Sequence, residues 1–141
     1  MKTPATAKTI EERKDQLHAV GRRKTAKCTV NFIKGEGEST VNGKKFDEYF
    51  KKDDQRAIIM LPFVVTKKMG DFYFRAKVSG GGIMGQASAL RTGIARCLAL
   101  IDDVTHSELA KENLLTRDPR AKERKKIYFV RARKKPQFSK R

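Results

Sequence analysis

The last eleven residues, Arg131 to Arg141 (RARKKPQFSKR), carry six cations and no anion, and only Ala132 and Phe138 are clearly apolar. No core can be made from such a segment. Ordering its backbone costs about 1–2 kcal/mol per residue, and two apolar side chains do not offset that. Pro136 and mutual repulsion favour an extended form, which at about 3.3 Å per residue reaches roughly 35 Å. The fold must therefore be made upstream, and the tail needs an anionic surface to become ordered.

Charge is segregated in the rest of the chain. Residues 1–27 hold eight Lys/Arg against three Asp/Glu, residues 28–116 thirteen against eleven, and residues 117–141 twelve against two. A nearly neutral body thus bears two cationic ends within a formal net charge of +17. Charge serving solubility alone would be spread evenly, whereas binding a polyanion with release of its counterions accounts for this distribution. A length of 141 residues with 38% hydrophobic content suits one domain with one modest core. No apolar run approaches the roughly 20 residues of a membrane span, and the first residues lack the apolar stretch of a secretory signal. Cys28 and Cys97 make neither a disulfide framework nor a metal site and are read as reduced and partly buried, in a cytosolic-type compartment.

Residues 1–17 read as a mobile extension with a frayed helix near Ile10–Leu17. One strand is expected from about Ala19 to Ile33, where Ala26, Cys28, Val30 and Phe32 alternate with polar residues. A turn at 34–38 leads to a short strand at Ser39–Val41, closed by the tight-turn pair Asn42-Gly43. A short helix over Phe46–Phe50 follows. Asp53-Asp54 then starts a helix that Pro62 should end or kink. Phe72, Phe74, Ala76 and Val78 share one face of a strand whose other face carries Tyr73, Arg75, Lys77 and Ser79. After Gly80-Gly81-Gly82, a helix from about Met84 to Ile101 has the stripe Ala87, Leu90, Ile94, Cys97, Leu98 and Ile101, with Gln86, Arg91, Thr92 and Arg96 off it. A shorter helix is expected from about Ser107 to Leu115, and a basic arm from Arg117 onward.

Gly80, Gly82 and Gly85 satisfy the spacing of the dinucleotide fingerprint, and Asp102 lies twenty residues past Gly82. In a dinucleotide fold that acid ends a second parallel strand, whereas here it ends the helix the glycines begin. The fingerprint is therefore rejected. Two other readings of the glycines stand together: tight turning with close backbone packing, and a bare helix start whose amides admit an RNA phosphate. Arg22, Arg23, Lys24 and Lys27 on an extended chain project to both faces and favour phosphate contact. The cluster Arg117, Arg120, Lys122, Arg124, Lys125 and Lys126 favours it more strongly. Catalysis has little support, because His18 and His106 are isolated and the acid pairs Asp53-Asp54 and Asp102-Asp103 sit at helix ends.

With these residues in view, the chain resembles the bacterial small-subunit ribosomal protein nine (S-nine) family. The matching segments are GRRK at 21–24, VNGK at 41–44, EYF at 48–50, SGGGIMGQASALRTGIARCLAL at 79–100, LLTRDPRAKERKK at 114–126 and the terminal PQFSKR. The resemblance implies an α+β fold, a four-stranded mixed sheet with helices packed against it, akin to the second domain of ribosomal protein S-five. A left-handed crossover and a long basic C-terminal tail belong to that expectation. Beyond the flexible extension at 1–17, it implies an rRNA-binding body at 18–116 and a basic extended arm and tail at 117–141. The expected function is that of a structural constituent of the small ribosomal subunit, not an enzyme, with no cofactor and no metal.

In the family the protein binds 16S-type rRNA in the subunit head, beside neighbouring head proteins, and its tail reaches the anticodon loop of P-site tRNA. Carried onto this chain, Ser139, Lys140 and Arg141 become the tRNA-binding group. Arg22, Arg23, Lys24, Lys27, Gly80, Gly81, Gly82, Arg117, Arg120, Lys122, Arg124, Lys125, Lys126, Arg131, Arg133, Lys134 and Lys135 hold rRNA. A bacterial cytosol and an organelle both stay open as the site of that ribosome. Phe138 is free to stack on a base or pack on protein. Three departures from the family stand out: Lys34 where proline is frequent, Tyr128 where many members carry glycine, and the extension at 1–17, which has no counterpart in the family. A nucleotide-dependent enzyme and a DNA-binding module are the rival classes.

Overall fold

A computed structural model describes residues 16–140. Its strands are β1 (Gln16–Arg23), β2 (Ala26–Lys34), β3 (Thr40–Val41), β4 (Lys44–Lys45) and β5 (Phe72–Ser79). Its helices are α1 (Phe46–Tyr49), α2 (Asp53–Thr66), α3 (Ile83–Ala99) and α4 (Asp103–Lys111). The sheet runs β1-β2-β5-β3-β4, antiparallel except where β3 lies parallel to β5. The architecture is mixed α+β, as expected, but with five strands rather than four.

The single strand expected over 19–33 is two strands joined at Lys24-Thr25, paired from Gln16↔Ile33 to Arg23↔Ala26. Lys24 turns the chain at φ 52°, a left-handed conformation that glycine or asparagine usually supplies, so the turn has no sequence signature. Gln16 and Leu17 open β1 and so are not in a helix; the rest of the frayed-helix expectation lies outside the described residues. The Asn42-Gly43 turn is as read, with both residues at positive φ (51° and 79°). Asn42 also prolongs the sheet. Its side-chain amide donates to the Val78 carbonyl at 3.0 Å and accepts from the Val78 N–H at 2.8 Å.

Helix α2 passes through Pro62 and ends at Thr66, where a stop or kink was expected at the proline. An interior proline costs about 3 kcal/mol. Burial of Ile59, Pro62 and Phe63 in the core offsets that cost, at about 1.5–3 kcal/mol for each large apolar side chain. The Thr66 hydroxyl donates to the Pro62 carbonyl at 2.9 Å. Helix α4 begins four residues before the expected Ser107 and stops at Lys111. Asn113 at φ 54° then lets the Leu114 N–H reach the Leu109 carbonyl at 3.0 Å, with both leucines buried.

Helices cover one face of the sheet. Helix α3 lies on β1 and β2, α2 packs on α3, and α4 closes against both. The core joins Val30, Phe32, Phe74 and Val41 of the sheet to Leu90, Ile94, Leu98, Ile59, Phe63 and Leu109 of the helices. Phe32 stacks on Phe72 at 4.9 Å and on Phe63 at 5.7 Å. Of the apolar stripe, Ala87, Leu90, Ile94, Cys97 and Leu98 are buried as read, but α3 stops at Ala99, so Ile101 lies beyond it and is half-buried. Thr92, assigned off the stripe, is buried as well, its hydroxyl donating to the Ser88 carbonyl. The helix has a second buried side because it is packed between sheet and α2. Both cysteines are free and buried, and burial pushes the Cys28 and Cys97 thiols up to about 12.

Helix and sheet meet backbone to backbone at β1. A Cβ on Gly21 would lie 1.8 Å from the Ala89 carbonyl oxygen, and one on Gly93 2.7 Å from the Val30 side chain. Gly21→Ala is therefore expected to lower stability by roughly 3 kcal/mol or more, read as a fall in urea midpoint at unchanged slope. The thiols give a second expectation. Their raised values keep protons on the folded state, so stability is intact below the unfolded thiol value near ~8.5 and falls as pH rises towards 12. Native alkylation at pH 8 should be slow at both cysteines and become fast in denaturant. Rapid native labelling of either would contradict the packing.

Candidate nucleic-acid interface

The hairpin turn between β1 and β2 is where the expected site residues meet. Arg22 and Lys27 pair across the strands and are exposed on the uncovered sheet face. Arg23, one residue on, points to the helical side, and Lys24 occupies the turn. Gly80 and Gly81 bring the chain from β5 to α3 at φ 70° and 65°. Added Cβ atoms there would lie 2.6 Å from the Thr25 oxygen and 3.0 Å from the Ala26 Cβ, so close packing on the hairpin accounts for both glycines. Gly82, the N-terminal flank of α3, has an ordinary extended φ of −96° and would meet nothing within 4 Å. No side chain caps this helix.

A hollow of about 440 Å³ opens between these segments, lined by Arg23, Lys24, Gly81, Gly82, Ser88 and Arg91. Arg91 was not among the expected site residues. Its Nε is buried without a hydrogen-bond partner among the described residues, and one helical turn separates it from Ala87 on the core stripe. The only sequence signal was its position off that stripe. Gln86 ties the glycine turn to α1, accepting from the Tyr49 hydroxyl at 2.8 Å and donating to the Gly80 carbonyl at 3.1 Å. The fingerprint topology is not formed among the described residues, since α3 leads to α4 and not to another strand.

The same hairpin holds the root of the basic segment. Arg23 donates to the Arg120 carbonyl and to Asp118 Oδ2, both at 2.8 Å. Arg120 closes on the same carboxylate through Nε, Nη2 and its own backbone N–H. Those Arg120 hydrogen bonds, with Arg23 adding to them, hold the Asp118 carboxyl well below the usual carboxylate range. A second hollow of about 430 Å³ joins Arg23 and Lys24 to Arg120 and Lys122. Arg117 directly precedes this clasp and Arg124, Lys125 and Lys126 follow it, all exposed.

Residues 112–140 form neither helix nor strand, yet they are not extended throughout as expected. Glu123 accepts from Arg133, ten residues away, at 2.8 Å and pairs with Lys126 at 3.5 Å. The Val130 N–H reaches the Lys134 carbonyl at 2.8 Å. One acid among many cations is enough to fold the chain back on itself. Tyr128 makes this bend at φ 63°, a left-handed conformation that favours glycine, with its ring exposed. Arg131, Lys134, Lys135, Phe138 and Lys140 are exposed; Arg141 lies outside the described residues. Ser139 is also exposed.

A family model described as ribosomal protein S9/S16 matches residues 21–141. The chain belongs to the ribosomal protein S9/S16 family. Two similar relatives are the small ribosomal subunit proteins uS9 of Dehalococcoides mccartyi strains BAV1 and CBDB1. Each is 45% identical over 130 residues, covering 92% of this chain and 98% of the relative. Proteins of this family are structural constituents rather than enzymes, in line with the sequence reading. No helix among the described residues is long and apolar enough to cross a membrane.

Asp118 gives the interface its pH dependence. A carboxyl held low keeps its anionic contacts above its unfolded value near ~3.9 and loses them only as pH falls below that. The root should therefore stay clasped from pH 7 down to about 4.5. Asp118→Asn is expected to raise the rate of tryptic cleavage after Arg120 several-fold at pH 7 while the melting temperature of the body stays within about 2 °C. Equal cleavage in both proteins would show that the clasp does not hold the segment.

Proposed function

We propose that this protein is a structural constituent of the small ribosomal subunit that binds 16S-type rRNA in the subunit head by charge and shape, without chemistry. Its body is residues 18–116, and residues 117–141 form a basic arm whose end reaches the anticodon loop of P-site tRNA. One observation carries the reading: the hairpin cations Arg23 and Lys24, the bare start of α3 and the root of the basic segment share one pair of adjoining hollows. The small-subunit relatives, alike over nearly their whole length, supply the context.

In this reading Arg23, Lys24, Gly80, Gly81, Gly82, Arg117, Arg120 and Lys122 form the first rRNA-contacting ridge. Arg124, Lys125, Lys126, Arg131, Arg133, Lys134 and Lys135 continue it along the arm, while Arg22 and Lys27 approach from the other sheet face. Glu123 folds the arm back in the free protein, and an RNA phosphate competing for Arg133 and Lys126 would release it. Ser139, Lys140 and Arg141 are the tRNA-proximal group. Arginine forks two donors onto a phosphate where lysine offers a point charge, so Lys140 and Arg141 are not interchangeable. Neighbouring head proteins complete the set of partners, and the ribosome is the location.

The test is binding of small-subunit rRNA across a salt series. Affinity should fall steeply with salt, and deletion of residues 131–141, which removes six cations, should lower the log–log slope by up to roughly 4 to 5. The body should keep its circular dichroism and melting temperature. An unchanged slope would remove the tail from the binding surface. Crosslinking of the last three residues to tRNA in the peptidyl site of assembled subunits tests the finer claim.

A further inference from the structure

Among the described residues, nothing covers the sheet face away from the helices. The strand register sets out its rows: Arg22 opposite Lys27 opposite Ser79, then Val20, Thr29 and Lys77, then His18, Asn31, Arg75 and Thr40. Arg22, Lys27, Arg75 and Lys77 are all exposed, and no aspartate or glutamate lies in these rows. Among the described residues none of the four has an ion-pair partner. Four acids of the body pair with other cations, Glu38 with Lys45, Asp47 and Asp53 with Arg56, and Asp102 with Lys68.

We infer that this uncovered face is a second RNA-backbone surface, in which Arg75 and Lys77 of β5 join Arg22 and Lys27 on the sugar-phosphate chain. The inference rests on the RNA-binding reading above and adds to it a face and two cations. A merely solvated sheet face would mix charge signs, because like charges directly across strands are destabilising. Here Arg22 stands directly opposite Lys27, and Lys77 is diagonal to Lys27 at about 7–8 Å. That repulsion is relieved by an anion in the space between them.

The face is also shaped for contact. A hollow of about 570 Å³ is bounded by His18, Asn31, Thr40, Arg75 and Lys77, so neutral hydrogen-bonding groups stand beside the cations. The aromatic of the adjoining row, Tyr73, is half-buried. Its ring lies so close to Gly37 that a Cβ there would be 2.8 Å away. The four cations of this face read backbone charge and shape, and the exposed His18 is a ring beside them that can meet a base. Because Arg22 and Arg23 leave consecutive residues towards opposite faces, the hairpin would be held by phosphates on both sides.

The experiment compares the full chain with Arg75→Gln/Lys77→Gln and with Lys51→Gln/Lys111→Gln, a pair of exposed cations off this face that matches the change in net charge. Each binds a small-subunit rRNA transcript across a salt series. The β5 pair should bind several-fold more weakly at moderate salt and lose about 1.4 to 1.8 from the slope, against little change for the control. The circular dichroism of both pairs should match the parent. Equal losses in the two variants, or none in either, would overturn the inference while leaving the RNA-binding reading intact. Unchanged RNA affinity with lost binding of an acidic protein segment would also overturn it, in favour of a protein-facing surface. A parent chain with no salt-dependent affinity would sink both.

Discussion

Helix α3 approaches β1 until main chain touches main chain, and everything else in the molecule is set by that contact. Gly21 has no Cβ because the Ala89 carbonyl occupies the place where one would be, and Gly93 leaves room for Val30 from the next strand. Arg96 draws the two together by donating to the Val20 carbonyl at 2.6 Å. Once the helix is seated there, its first turn must lie beside the end of the hairpin. That is why Arg23 and Lys24 border Gly81, Gly82 and Arg91. A side chain in place of Gly21 would push the helix outward and separate the two halves of the candidate interface before reaching any cation.

Charge is managed by a small number of acids. In the body they clip helices and loops: Asp102, flanking the start of α4, holds Lys68 beyond the end of α2. In the basic segment the two acids act as clasps, Asp118 at the root and Glu123 at the bend. Such exposed pairs contribute little to stability individually. Their value is in geometry, since two anions among twelve cations decide where a self-repelling segment leaves the globule and where it turns. Among the described residues, Arg22, Lys27, Arg75 and Lys77 on the sheet are left without an ion-pair partner.

Strong local signals were legible in the sequence, and features that depend on distant neighbours were not. The alternation in 72–79, the stripe of α3 and the Asn42-Gly43 turn each have an intrinsic period or a conformational preference that survives any context. The Lys24-Thr25 turn has neither, since a lysine takes the left-handed position and the strand pattern continues on both sides. Pro62 lies inside α2 without ending it because tertiary burial outweighs one missing hydrogen bond. The second buried side of α3, seen at Thr92, follows from α2 lying on top of it, a fact about topology. On the interface, clusters of cations were evident along the chain. Arg91 and the pairing role of Asp118 were not, because both matter only through residues far away in sequence.

The triple glycine brings these levels together. Two readings of it were open, close packing and an exposed phosphate-accepting helix start, and the geometry divides them between residues. Gly80 and Gly81 adopt left-handed conformations and lie against Thr25 and Ala26, so packing explains both without reference to a ligand. Packing does not explain Gly82. Its backbone conformation suits any residue, a side chain there would meet open space, and serine or aspartate at that position would ordinarily stabilise the helix by capping it. A self-capping side chain would occupy the amide donors at the start of α3, and an aspartate would also place an anion beside Arg23 and Lys24. The absence of a cap leaves those donors, and the positive end of a seventeen-residue helix, facing the basic hollow. Of the three glycines, it is the one least needed for the fold that fits a phosphate-binding role best.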